Sequence, residues 1–248
     1  MEKSPLITII TVTYNAEKVI GKTLQSLREQ SFRDFEHLVI DGASSDQTLE
    51  IIESARLPMT RITSEPDKGL YDAMNKGLHK ASGKYVLFLN AGDTFHSEDT
   101  LSLFAQKASQ NADIIYGDTI IVDSKGEKLA DRHLAAPEVL TPKSFSKGML
   151  ICHQAFMVKK SLAPDFDLSY RFSADYDWCV KCINNADTSH CQNLKTVTTH
   201  YLSDGLTDNN KFKSLRERFR IMSNHYGRFT TIFNHIGFVL RALKRKSI

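Results

Sequence analysis

Six consecutive residues, Tyr85 to Asn90 (YVLFLN), constrain this chain more than any other stretch, because none of them is charged and five carry large apolar bodies. A run of this length and composition reads as a strand buried on both faces. Such a strand needs helices above and below it, which points to an α/β sheet. The preceding residues supply one helix: Leu70, Ala73, Met74, Gly77, Leu78 and Ala81 recur at helical spacing. Pro66 keeps the chain extended before it, Asp67 is placed to cap its start, and Gly83 to end it. The strand stops at Ala91, Gly92 and Asp93. Open α/β sheets bind ligands at the carboxyl edge of their strands. At that edge Asp93 either holds a metal or a phosphate-bound metal, or caps the next turn.

The same alternation fills the residues upstream. Leu6 to Thr13 is rich in β-branched residues and reads as a first strand, with a turn at Tyr14 and Asn15. Val19, Ile20, Thr23, Leu24 and Leu27 give a helical face. Glu36 to Ile40 reads as a second strand ending at Asp41 and Gly42, Asp46 caps a following helix, and Arg61 to Thr63 is a short third strand. In a parallel, doubly wound sheet the turn at Asn15, the carboxylate of Asp41 and that of Asp93 share one edge. Asp41 there offers an acceptor to the imide N–H of a nucleotide base, and Asp93 offers a ligand to the cation of a pyrophosphate. No G-x-G-x-x-G turn and no G-x-x-x-x-G-K-[ST] loop is present, so neither a dinucleotide site nor a P-loop is indicated.

Composition removes other classes. A net charge of +3 gives no argument for nucleic acid. No apolar run approaches a membrane span, and the N-terminus lacks the pattern of a signal peptide. Cys152, Cys179, Cys182 and Cys191 fit reduced thiols, so the expectation is a cytoplasmic protein.

Four ordered segments carry a resemblance. They are Thr11 to Asn15 (TVTYN), Val39 to Thr48 (VIDGASSDQT), Glu65 to Gly77 (EPDKGLYDAMNKG) and Phe88 to Asp93 (FLNAGD). Together they resemble the motifs of family 2 glycosyltransferases of the GT-A fold, over roughly residues 5–205, and within that family the bacterial enzymes that build colanic acid, capsule and O-antigen repeat units. The resemblance implies that Asp41, with Gly42 and Ser44 beside it, holds uracil. Thr11, Thr13, Tyr14 and Asn15 would line the base and ribose, and Asp67 and Asn75 would border the nucleotide. Asn90 to Asp93 stands where the family has its Asp-x-Asp signature. Asn90 replaces the usual first aspartate, which leaves Asp93 as the anionic ligand of a Mg²⁺ or Mn²⁺ that is otherwise held by diphosphate and water.

Beyond Asp93 the alternation weakens. Ser97 caps a helix through about Ala108. Asp113 to Gly117 and Thr119 to Asp123 read as two strands, and residues 127–150 as an acceptor-facing loop or short helix. Cys152 to Val158 begins another strand. Its His153-Gln154 pair resembles one common in this subgroup, although a packed, hydrogen-bonded histidine reads equally well. Phe172 to Trp178 starts a helix, and in family 2 an acidic motif here carries the catalytic base. Ala174 takes the place of the motif's Glu, and Asp175 matches its Asp. Asp175 is therefore either the base that takes the acceptor hydroxyl's proton or a helix cap. Cys179, Cys182, His190 and Cys191 are zinc-ligand types, but the Cys pair falls at i, i+3 inside that helix and reads as core. Lys195 to His200 is a last strand, and the resemblance makes His200 a candidate metal ligand. The turn from Asp204 to Thr207 is similar to a loop that closes over the diphosphate, with Asp204 in place of one glycine.

Two amphipathic stripes close the chain: Phe212, Leu215, Phe219, Met222 and Tyr226, capped near Asp208 or Asn209, then Phe229, Ile232, Phe233, Ile236, Leu240 and Leu243. The second ends in Lys244, Arg245 and Lys246, and reads either as a helix on an anionic membrane surface or as one packed on the domain. The expectation is thus a GT-A domain over residues 1–207, with a nucleotide half to about 95 and an acceptor half over 96–207, and a helical extension over 208–248. Its activity would be inverting transfer from a UDP-sugar to a hydroxyl of a polyprenyl-diphosphate-linked saccharide, at the inner face of the bacterial plasma membrane. A nucleotidyltransferase or an inactive UDP-sugar-binding module are the rival readings.

Overall fold

The computed structural model describes residues 4–132, 134–203 and 211–245. Four strands, β1 (Ile7–Thr13), β2 (Phe35–Asp41), β3 (Thr60–Ser64) and β4 (Tyr85–Phe88), run parallel in the order β3-β2-β1-β4. They are joined by α1 (Ile20–Arg28), α2 (Thr48–Ser54) and α3 (Leu70–Lys80). Every residue of β1, β2 and β4 is buried, as their apolar and β-branched sequences demand. Neighbouring residues of one strand serve opposite layers: Ile10, Leu38 and Phe88 pack in one core, Ile9, Val39 and Leu87 in the other. Helix α3 lies close on the sheet because Gly77 has no side chain; a Cβ there would meet Ile10 Cγ2 at 2.4 Å.

The second half is mixed. It contains β5 (Thr94–Phe95), α4 (Thr100–Ser109), β6 (Ile114–Val122), β7 (Lys128–Asp131), β8 (Phe156–Lys159), α5 (Ala174–Asn185) and β9 (Cys191–Leu202). Strand β8 pairs antiparallel with β4 and with β6, β9 runs parallel to β6, and β5 closes the edge antiparallel to β9. The sheet is therefore wholly parallel where the alternation was regular in sequence and mixed beyond it.

Three expectations are corrected. The two strands expected within 113–123 are one, β6, over Ile114–Val122. A Cβ on Gly117 would lie 2.5 Å from Thr198 Cγ2, so the glycine admits β9 at close range and β6 passes through a register shift unbroken. Helix α3 ends at Lys80 rather than Gly83, whose closeness to the Thr8 backbone instead lets the turn before β4 press on β1. Asp67 accepts the Gly69 N–H at 2.7 Å and so shapes the loop ahead of the helix rather than capping its first turn.

The extension forms α6 (Lys211–Tyr226) and α7 (Arg228–Arg245). Its rotation also differs from expectation. Phe212 is 91% exposed and Leu215 exposed, while Ser214, Ile221 and Met222 are buried. Polar bonds set this phase: Glu217 accepts the N–H groups of Arg171 and Phe172, the Ser214 and Ser173 hydroxyls meet at 3.0 Å, and His225 lies 2.7 Å from Asp177. Ile221 and Met222 thereby join the cluster that holds Trp178. On α7, Phe229, Ile232, Phe233 and Ile236 face solvent and Thr231 faces inward. The expected caps at Asp208 and Asn209 and the Asp204 to Thr207 turn lie outside the described residues. No helix among the described residues is long and apolar enough to cross a membrane.

Candidate active site

The carboxyl edge of β1 and β2 is organised by Asp41. Its buried carboxylate accepts the Ser44 N–H at 2.9 Å, the Ser44 hydroxyl at 2.5 Å and the Ser64 hydroxyl at 2.7 Å. A carboxylate has about four acceptor positions, so nearly all are in use. The loops after β1 and β2 are sewn together: Asn15 N–H donates to Ser44 Oγ, Ser45 N–H to Asn15 Oδ1, and Gly42 N–H to the Thr13 carbonyl. Asn15 takes a positive φ of 47° to do so. Tyr14 stands out from this knot at 65% exposure. A Cβ on Gly42 would lie 2.5 Å from Asp67 Oδ2 and 3.3 Å from Tyr14 Cδ2, so only glycine leaves the floor between them open.

Other residues expected at the nucleotide are committed elsewhere. Thr11 is fully buried; its hydroxyl donates to the Leu89 carbonyl and lies 3.0 Å from His37, whose burial pushes its pKa down to about 3. Asn75 is spent on the backbone of Phe166, donating to its carbonyl and accepting its N–H. Thr13 is buried with its hydroxyl unpartnered.

At the end of β4, Asp93 is buried. Oδ1 accepts the Leu202 N–H at 3.0 Å and Oδ2 the Gln154 side-chain amide at 2.8 Å. Burial pushes its pKa up to about 6 against these two bonds. Asn90 Oδ1 is buried with no partner. A hard oxygen-seeking cation such as Mg²⁺ or Mn²⁺ fits this donor chemistry, one carboxylate and one free amide oxygen, with phosphate and water completing the shell. His200 lies at the same edge of the sheet, paired with Thr94, the residue next to Asp93. Its Nε2 sits 2.7 Å from His96 Nδ1, and no three His, Cys, Asp or Glu side chains among the described residues cluster as a metal site. Cys179 and Cys182 are core residues, which removes the zinc reading of that pair.

Asp175 does not cap α5. Oδ1 accepts the Tyr71 hydroxyl at 3.0 Å and Oδ2 lies 3.2 Å from His153 Nδ1. A carboxylate can only accept, so His153 Nδ1 carries the hydrogen. His153 Nε2 lies 3.2 Å from the Asn90 amide nitrogen, which donates to it. Burial pushes the Asp175 carboxyl up, but the His153 bond, the Arg218 charge and the Tyr71 bond outweigh it and hold it below the ordinary aspartate value. His153 and Gln154 thus join Asn90, Asp93 and Asp175 into one frame. The roles of Tyr71, Gln154 and Arg218 were not readable as single residues, although the His153-Gln154 pair stood out in sequence.

Asp93 has a consequence for stability. Its pKa is about 6 folded against 3.8 unfolded, so between these values the folded state holds more protons and raising the pH destabilises it. Asp93→Asn is therefore expected to raise stability at pH 7 by about 2–3 kcal/mol, with the gain vanishing near pH 4. Urea unfolding across that range checks this, and an equally or less stable variant at pH 7 would contradict it.

Residues 8–164 match the family model of Glycosyl transferase family 2. The chain is 34% identical over 197 residues to a PGL/p-HBAD biosynthesis glycosyltransferase of Mycobacterium tuberculosis, covering 73% of this chain and 71% of that protein. It is 25% identical over 238 residues to the Escherichia coli UDP-Glc:alpha-D-GlcNAc-diphosphoundecaprenol beta-1,3-glucosyltransferase WfgD, covering 93% and 92%. The crystal structure of Staphylococcus aureus TarS 1–349 in complex with UDP-GlcNAc superposes with a TM-score of 0.70 at 21% identity, over 88% of this chain and 65% of that one. This chain so spans under two thirds of that fragment. The mannosyltransferase PcManGT from Pyrobaculum calidifontis, in complex with GDP-Man and Mn²⁺, gives 0.62 at 15% identity over 99% and 80%. The fold is GT-A, and the chain belongs to glycosyltransferase family 2.

Proposed function

We propose that this glycosyltransferase moves a sugar from a UDP-sugar to a hydroxyl of a polyprenyl-diphosphate-linked saccharide, with inversion, in the assembly of a bacterial surface polysaccharide. The observation that carries the reading is the His153-Gln154 frame, which fixes Asp175 and Asp93 relative to one another. Similarity to WfgD, whose name gives a UDP-sugar donor and a diphosphoundecaprenol acceptor, supports the substrate class. Uracil would rest against the exposed Tyr14 ring over Gly42, between Asp41 and Asp67. Asp93 and Asn90 would hold Mg²⁺ or Mn²⁺. A bound cation of this kind neutralises charge on a departing diphosphate.

The chemistry of the chain's own residues centres on Asp175. Tyr71 and His153 each occupy one lone pair of its carboxylate, keep it ionised at neutral pH, and leave a lone pair on each oxygen. That carboxylate takes the proton of the acceptor hydroxyl as it attacks the anomeric carbon. Holding the base in one rotamer between two donors supplies the orientation that a weak base needs.

Asp175→Asn keeps the shape and loses the basicity. Expected are a UDP affinity within about twofold of the parent and a single-turnover transfer rate lower by about 10²–10⁴-fold. The donor for this assay comes from a screen of UDP-Glc, UDP-Gal, UDP-GlcNAc and UDP-GalNAc for slow hydrolysis. Near-parental transfer by the variant would refute Asp175 as base, and turnover with none of the UDP-sugars would refute the donor class.

The acceptor reading brings a membrane with it. Exposed Phe229, Ile232, Phe233 and Ile236 along α7 form an apolar stripe on a segment rich in arginine and lysine, the pattern of a helix lying on anionic lipid at the cytoplasmic face. Sedimentation with phosphatidylglycerol-containing liposomes at physiological salt is expected for the parent and lost on Phe229→Ser with Phe233→Ser. A parent that ignores such liposomes would end this part of the account.

A further inference from the structure

Helix α6 carries an arginine on its inner face. Ser214, Arg218, Ile221, Met222 and His225 follow helical spacing, and Ser214, Ile221 and Met222 are all buried. The face is locked at both ends, by Glu217 and Ser214 on residues 171–173 and by His225 on Asp177. Arg218 is thereby held toward the start of α5, and its charge acts on Tyr71, Asp175 and Tyr176.

Its Nε is buried without a hydrogen-bond partner. Among the described residues no hydrogen bond or ion pair joins the guanidinium to the Asp175 carboxylate, whose oxygens accept from Tyr71 and His153 instead. A buried charged donor left unpaired costs free energy, and native structures keep few of them. A planar guanidinium is the group best shaped to take a phosphate in a two-pronged contact.

We infer that Arg218 binds an oxyanion of the acceptor, a phosphate of its diphosphate link, about one sugar ring away from the hydroxyl facing Asp175. The inference rests on the transferase reading above. The donor diphosphate is the competing source of the same chemistry. Arg218 acts on Asp175, where the acceptor hydroxyl would lie, whereas Asp93, where the donor diphosphate would lie, is held by Gln154 and the Leu202 N–H, which favours the acceptor.

The test separates the two sources and does not depend on turnover. Full-length parent is titrated with GlcNAc α-diphosphate carrying a phenoxyundecyl tail, with the tailed GlcNAc glycoside that lacks the diphosphate, and with UDP. The parent is expected to bind the diphosphate probe at least about tenfold more tightly than the glycoside, and Arg218→Gln to abolish that preference while UDP affinity stays within about twofold. In transfer assays the same variant should raise KM for the diphosphate acceptor with a smaller effect on kcat. Arg218→Lys, which keeps the charge without the fork, should recover part of the preference and carries the test if the glutamine variant does not fold. Loss of UDP affinity would assign Arg218 to the donor and overturn the inference. So would a parent with no preference, or a variant that retains it. Failure of the parent to turn over any UDP-sugar would count against the transferase reading, while the binding comparison would still decide Arg218.

Discussion

The contact between His153 and Asp175 holds the two halves of this molecule to a common purpose. His153 lies just ahead of β8, which pairs with β4, so it sits within reach of the strand end at Asn90. Asp175 begins a helix that belongs to the mixed half of the sheet. Without a bond between them, the nucleotide edge and the helix start would be joined only through packing. With it, and with Gln154 on Asp93, the position of one carboxylate fixes the other. Tyr71 adds a third anchor from α3, and its ring stacks on Phe166, which stacks in turn on Trp178 of α5. A polar network buried at this depth rigidifies where its members satisfy one another, and in this one Asn90 Oδ1 stays open.

The extension supports the same frame from outside. Glu217 closes on the backbone of Arg171 and Phe172, immediately ahead of α5, and thus fixes the chain that delivers Asp175. One face of α6 serves the core while α7 turns its apolar stripe to solvent. A single pair of helices therefore connects an exposed apolar stripe with the interior of the mixed half of the sheet.

Much of this was legible in the sequence. The buried strands announced themselves as apolar runs, and the alternation with helices brought Asn15, Asp41 and Asp93 to one edge. Ionic and polar commitments were not legible, because they depend on pairs far apart in the chain. Nothing near Asn75 tells that it serves Phe166, and nothing near Thr11 tells that its hydroxyl faces the Leu89 carbonyl. The contact of His200 with His96 was hidden in the same way, since it depends on β5 and β9 pairing Thr94 with His200. The phase of α6 was misread for a similar reason: its larger apolar residues mark one stripe, while Glu217, Ser214 and His225 fix another. The inner position of Arg218 follows from that second stripe.

The central claim is that His153 and Asp175 work as one unit, and a double-mutant cycle tests it most directly. Single-turnover transfer would be measured for the parent, His153→Ala, Asp175→Asn and the double variant, with UDP affinity determined on each. Residues that act as a unit give grossly non-additive losses. The account predicts a double variant about as slow as the slower single, a coupling of roughly 1–3 kcal/mol. Losses that simply multiply would show that His153 and Asp175 act independently and would contradict it.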